Sequence, residues 1–241
     1  MIEMVRRFLR QRFGSPAMAT ALGVLALLTA IQAALSEPEH ALESGFLAIV
    51  LIAAGSVSRD ASSGALQMIL ARPIRRTSYL FGRYLGILAA YAAFLAGTCG
   101  LTVLLAVVVP RALGAVSSSA VSPDSLARGV AAALLNGSLF AAILLFFSTF
   151  LRGYADVLGY ILLSILLQVV PGLGRTLHKP WLTTAGDEAR RNVLPEVDWS
   201  EVLRGRHALG EPTGQFVLAV VVFLTLAALI FSRREFSYGR D

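Results

Sequence analysis

Long apolar runs alternate with short polar breaks along the whole chain. An α-helix rises 1.5 Å per residue, so roughly 20 apolar residues cross the ~30 Å hydrocarbon core of a bilayer. Four runs suit that length: Ala17–Leu35, Tyr84–Val109, Gly129–Leu151 and Gln215–Phe231. Ser44–Ser58 is shorter, and Gly153–Val170 carries Asp156 near its start. Both are bounded by polar turns, and backbone in lipid must satisfy its own hydrogen bonds, so both count as spans. The pattern predicts an all-α integral membrane protein with six transmembrane helices.

The polar breaks are not alike. Residues 1–13 place Ile2, Val5, Leu9 and Phe13 on one helical face, with Glu3, Arg6, Arg7 and Arg10 on the other. Arg12 intrudes on the apolar face, where its stem can snorkel to headgroups. This predicts an amphipathic interface helix, with Val5, Arg6, Leu9 and Arg10 as its working positions; the plainer alternative is a basic topogenic tail. Gly14-Ser15-Pro16 breaks it before the first span. The break at 58–83 spaces Leu66, Ile69 and Leu70 as a short helix, and Pro73 ends it. Thr77 or Ser78 then caps the next helix. An apolar ridge beside five arginines is a docking surface, which a topogenic loop alone does not require. The break at 171–214 has six cations, six acids, Trp181 and Trp199, with apolar anchors at Leu194, Val197 and Leu203. It predicts short helices on the membrane surface, with both tryptophans as interfacial anchors and room for an extracytoplasmic partner.

Charge then orients the spans. Thirteen of the 21 basic residues, against five of the 15 acids, fall on the side holding both termini, the 58–83 segment and Arg152. The positive-inside rule puts both termini in the cytoplasm. The net charge of +6 is this topology signal and not a nucleic-acid footprint. Arg6-Arg7-Phe8-Leu9 is similar to the core of a twin-arginine export signal. Its apolar run is too long for a signal peptide, however, and five more spans follow.

Composition removes several chemistries. With 56% hydrophobic and 15% charged residues the chain is far from a soluble domain. Cys99 is its single cysteine, and three separated histidines make no metal site. Lys179 is the single lysine and follows His178, so there is no Gly-Lys-[Ser/Thr] phosphate loop. No cluster of carboxylates or histidines suits a membrane enzyme, and no proton-relay chain or charged pore ring is present. Inside the spans, Asn136, Ser138 and Gln168 are polar; Asn136 and Gln168 are candidates for a substrate pathway or for helix packing. Arg152 and Asp156, spaced i,i+4, suit an interfacial pair. Gly86, Ala89, Ala90, Ala93 and Gly97 suit close packing of the third span.

Asp60, Gly64, Leu66, Leu70, Pro73, Ile74 and Arg76, followed by Gly82-Arg83 and Gly86, form a pattern similar to the coupling segment of ABC-2-type transporters, whose membrane subunit the chain resembles. The likeness extends to the cytoplasmic N-terminal helix, the six spans and the basic exit after Phe231. Two positions depart from the family pattern: Asp60 stands where Glu is usual, and Ala65 where Thr is usual. Leu194–Trp199 is also similar to a segment of permeases grouped with multicopper-enzyme maturation and gliding motility, but no Met/His/Cys cluster suits copper. The resemblance implies a multi-pass permease of the bacterial cytoplasmic (inner) membrane, not itself an enzyme. It implies no cofactor on this chain, with ATP and Mg on a separate cytoplasmic ATP-binding subunit. It further implies a homodimer or a pairing with a related permease, surrounded by membrane lipids. Asp60, Gly64, Leu66, Ile69, Leu70, Pro73 and Arg76 would meet the ATPase through a coupling helix around residues 61–71. The rival expectation is a non-transporting scaffold that passes ATPase-driven motion to an outer partner.

Overall fold

A computed structural model describes residues 2–35, 41–42, 46–62, 66, 75–113, 122–151, 153–195, 197–205 and 210–233. Every regular element among them is a helix. In chain order these are α1 (Ile2–Phe13), α2 (Pro16–Leu35), α3 (Phe46–Ala53), α4 (Ser58–Ser62) and α5 (Arg76–Leu113). They continue as α6 (Pro123–Ser148), α7 (Ala155–Thr176), α8 (Pro180–Val193), α9 (Trp199–Leu203) and α10 (Glu211–Arg233).

Five of them, α2, α5, α6, α7 and α10, are long and apolar enough to cross a membrane. The short run expected at Ser44–Ser58 is represented by the eight residues of α3, which stop at a turn over Ala54–Val57. Ala41 and Leu42, expected in an outer loop, are instead helical and fully buried. α5 starts at Arg76, which puts Thr77 and Ser78 inside its first turn rather than ahead of it. α7 runs through Pro171 to Thr176, six residues past the expected end of the span.

Four of the five long helices carry much of their bulk outward, and the fifth, α6, is the most buried. Large side chains are exposed on α2 (Val24, Leu28), α5 (Leu104, Val108), α7 (Leu158, Leu162, Leu166) and α10 (Leu218, Val221). Buried positions on the same helices hold many alanines: Ala30 and Ala33, Ala90, Ala132, Ala133, Ala141, Ala142, Ala219 and Ala227. Water would punish so much exposed apolar surface. In lipid it is the solvent-matched face, and small buried residues let helices approach closely. This is the size distribution of a multi-pass membrane protein.

The chain divides into two compact units. The first comprises residues 1–52, 82–141 and 198–206. In it α1 packs beside α2 and lies on α5. A Cβ on Gly82 would stand 3.0 Å from the Met4 sulfur, and one on Gly86 3.1 Å from the Phe8 ring. The small residues at 82 and 86 therefore seat the amphipathic helix, whereas Gly97 has open space around it. Deeper in, a Cβ on Gly137 of α6 would collide with Tyr91 of α5, and the Tyr84 hydroxyl donates to the Ser138 carbonyl at 3.2 Å. α9 is capped by Asp198, whose carboxylate accepts from the Glu201 N–H. Trp199 at its start is buried.

The second unit comprises residues 53–81, 142–197 and 207–241. In it α8 folds back along α7 as a helical hairpin. The turn between them puts His178 at φ 53°, a left-handed conformation usually given to glycine. Two glycines let the helices touch: a Cβ on Gly174 would strike the Thr183 backbone, and one on Gly186 would strike the Pro171 ring. Phe146 contacts Phe147, Phe150 and Phe223 edge-on, with centroids 5.2–5.5 Å apart, tying α6 to α10.

Candidate functional site

Polar side chains concentrate where α3 ends, α5 begins, α6 hands over to α7, and α10 ends. All of the following contacts lie within the second unit. α3 stops at the Ala54–Val57 turn, where Gly55 has φ 65°. That turn leaves backbone N–H groups pointing inward, and each of three finds a side-chain acceptor. Gly55 N–H donates to Asp156 Oδ2 at 2.6 Å. Val57 and Ser58 N–H both donate to Ser148 Oγ, at 3.1 and 3.2 Å. The Ser58 hydroxyl in turn donates to the Gly153 carbonyl at 2.5 Å. Ser58, Ser148 and Asp156 are all buried. A buried donor without a partner costs about 1–3 kcal/mol, so Asp156 and Ser148, by accepting these three N–H groups, hold the turn against the α6–α7 junction.

Asp60 follows in α4. It is buried, and its Oδ2 accepts the Tyr79 hydroxyl at 2.7 Å. The Tyr79 ring stacks on Phe231, centroids 5.7 Å apart and planes 17° from parallel. Arg76 Nη1 donates to the Ser232 carbonyl at 2.9 Å. The last turn of a helix leaves carbonyls without intrahelical partners, and a guanidinium is a fitting donor there. Arg59 lies over the Tyr154 ring at 5.5 Å. α4 and the first turn of α5 are thus fastened to the start of α7 and to the end of α10.

The residues expected in the coupling segment divide accordingly. Asp60 and Arg76 are brought into this knot, each through a hydrogen bond within the chain. Leu66 is helical and buried, so the one described member of the ridge points inward. Gly64, Ile69, Leu70, Pro73 and Ile74 lie outside the described residues, as does Arg152. Asp156, expected to pair with Arg152 at the membrane interface, is fully buried and accepts the Gly55 N–H. Desolvating a carboxylate requires several donors, and backbone N–H groups supply them here: Val157 N–H reaches its Oδ1 at 2.9 Å.

The N-terminal helix, in the first unit, is turned from its expected face. Val5 and Leu9 are half-buried and Arg6 and Arg10 exposed, as the pattern predicts. The anchor, however, is Phe8, fully buried, with Phe13 exposed. Two buried arginines flank the Phe8 ring: Arg12 from α1 and Arg83 from α5, each 5.3 Å from its centroid. Arg83 also donates to Gln11 Oε1 at 3.4 Å. Cation–π contact lets a guanidinium be buried against an aromatic face, which is why Arg12 departs from the polar side. Helical periodicity sets Arg12 on the apolar face but gives it headgroups rather than the Phe8 ring as its neighbour, and it does not single out Phe8.

Of the intramembrane polar residues, Asn136 and Ser138 belong to the first unit and Gln168 to the second. Asn136 is half-buried on α6 and Gln168 exposed on α7. The Ser138 hydroxyl turns back to the Leu135 carbonyl of its own helix at 2.7 Å. The tryptophans also differ: Trp181 is 68% exposed, whereas Trp199 is buried and so is no surface anchor of this chain. Sequence reasoning missed Ser148, Tyr79 and Phe231. Their one signal is position, since each sits within four residues of an arginine at the end of a span. No family model matches this chain, and no curated protein matches it.

Proposed function

We propose that the chain is the membrane-spanning permease subunit of an ABC-2-type transporter, driven by a separate ATP-binding subunit. The observation that carries this reading is the attachment of α4. Its Asp60 is bonded to Tyr79 at the head of α5, and the preceding turn is bonded to Ser148 and Asp156. A push on α4 itself is passed through these bonds to α5 and to the α6–α7 junction. Coupling helices need this property, because a partner shifts a conformational equilibrium only through contacts that differ between its states. The exposed Arg6 and Arg10, one turn apart on α1, offer a second cytoplasmic contact.

On this reading α3 and its neighbours complete a sixth crossing, both termini are cytoplasmic, and the protein resides in a bacterial inner membrane. It works as a homodimer or with a related permease. ATP and Mg bind the partner, and Asp60 acts by holding α4 in place rather than by touching the ATPase. The test is co-purification with the ATPase encoded beside it, in mild detergent, with vanadate-sensitive hydrolysis as the readout. A complex with about two ATPases per two permeases is expected. Failure of every neighbouring ATPase to associate would overturn the reading. A hydrolysing complex that moves no solute would replace transport by transmission of motion to an outer partner.

A further inference from the structure

The second unit contains a cavity of about 520 Å³ where α7 ends, α8 ends and α10 begins. Small-ligand sites fall in the range of roughly 300–1,000 Å³. Its charged lining comes from three helices: Arg175 in the last turn of α7, Asp187, Arg190 and Arg191 on α8, and Glu211 in the first turn of α10. Gln215, one turn further along α10, completes it and donates to Glu211 Oε1 at 3.3 Å. Arg175 and Asp187 form a loose, exposed pair at 3.8 Å, the kind that contributes little to stability. Arg190, Arg191 and Glu211 line the same cavity, which so combines guanidiniums with a carboxylate.

The cavity also has an apolar approach. Ile161, Ile165, Gln168, Gly172 and Arg175 follow one another at helical spacing along α7, and all five are exposed. The stripe runs from two isoleucines, past a glutamine and a bare glycine, to the guanidinium in the cavity wall. Both α7 and α10 are membrane-crossing in length and apolarity, so their adjoining ends mark a bilayer boundary. A ligand lying here meets hydrocarbon below and paired charges above.

We infer that this site holds a membrane phospholipid whose headgroup carries both a phosphate and an amine. Arg190 and Arg191 take the phosphate, since guanidinium forks match its oxygens. Glu211 takes the ammonium, and an acyl chain lies along Ile161 and Ile165. The lipid is resident rather than transported, and is held whether or not the chain works with an ATPase.

The test uses the full chain in neutral detergent, with bound ligand counted by native mass spectrometry. Dioctanoyl phosphatidylethanolamine is expected to bind about tenfold more tightly than dioctanoylglycerol or than soluble glycerophosphoethanolamine, one tenfold step being a modest binding difference. R190Q/R191Q should lose that tenfold, and R128Q, which removes a charge elsewhere, should not. E211Q should shift preference from phosphatidylethanolamine toward dioctanoyl phosphatidylglycerol. A misfolded chain cannot produce that exchange, so E211Q decides the matter if the double variant fails to fold. Equal binding of glycerophosphoethanolamine would make this a soluble-ligand site and overturn the inference. So would equal binding of dioctanoylglycerol, an equal loss in R128Q, or an unchanged lipid preference in E211Q.

Discussion

Asp156→Ala should weaken the fold by more than the usual surface or lipid-facing substitution. The carboxylate is fully buried, and its Oδ2 accepts the Gly55 N–H at 2.6 Å. Alanine removes the acceptor and leaves that N–H enclosed, at a cost of about 1–3 kcal/mol. In a chain of this length 1 kcal/mol moves a melting midpoint by roughly 2–4 °C. Asp156→Ala should therefore lower the midpoint by about 2–12 °C, measured on detergent-solubilised protein by intrinsic fluorescence. Asp156→Asn keeps a carbonyl oxygen in place of Oδ2 and should lose less than half as much. Wild-type stability in Asp156→Ala would refute the claim that Gly55 depends on this carboxylate. Equal damage from Asn and Ala would show that charge, and not the acceptor, is what the turn requires.

Gly86→Leu should lift α1 away from α5, because its side chain would occupy the space of the Phe8 ring. Hydrogen exchange in residues 2–13 should rise about tenfold, while Gly97→Leu, with open space around it, leaves exchange there unchanged. Tyr79→Phe removes the donor to Asp60 but keeps the ring against Phe231. It should cost only about 1 kcal/mol of stability yet reduce vanadate-sensitive hydrolysis in the complex with the ATPase, and unchanged coupled hydrolysis would remove α4 from the transmission path. In a Cys99→Ser background, Gln11→Cys and Thr77→Cys should resist a membrane-impermeant maleimide in intact cells, whereas Trp181→Cys should react. Labelling of Thr77→Cys from outside would reverse the orientation.

Long apolar runs make the spans legible, and five helices of that kind stand among the described residues. Their ends were less legible. Pro171 suggests a stop, yet α7 continues through it, because Gly186 accepts the proline ring and α8 packs alongside. Local propensity has no access to such a neighbour. For the same reason the face of α1 was read with Phe13 inward: only the approach of Arg83 and Gly86 makes Phe8 the anchor. At the polar knot, Asp60 and Arg76 were singled out on sequence, but their partners were not. Tyr79, Ser148 and Ser232 are ordinary residues of span ends, and their roles come from chain segments up to 156 residues apart.

The inverted size distribution has a consequence for how this chain tolerates change. In a water-soluble core, trimming a large interior side chain is the damaging move, because it leaves a void. Here the large side chains of α7 and α10 face outward while Ala219 and Ala227 lie inside. Shortening Leu162 or Leu218 trades one apolar surface for another, whereas enlarging Ala227 wedges helices apart. Along the outward faces of α7 and α10 and at Ala219 and Ala227, a substitution map should thus run opposite to that of a soluble domain, while buried large residues such as Phe8 and Tyr91 keep the ordinary sensitivity to trimming.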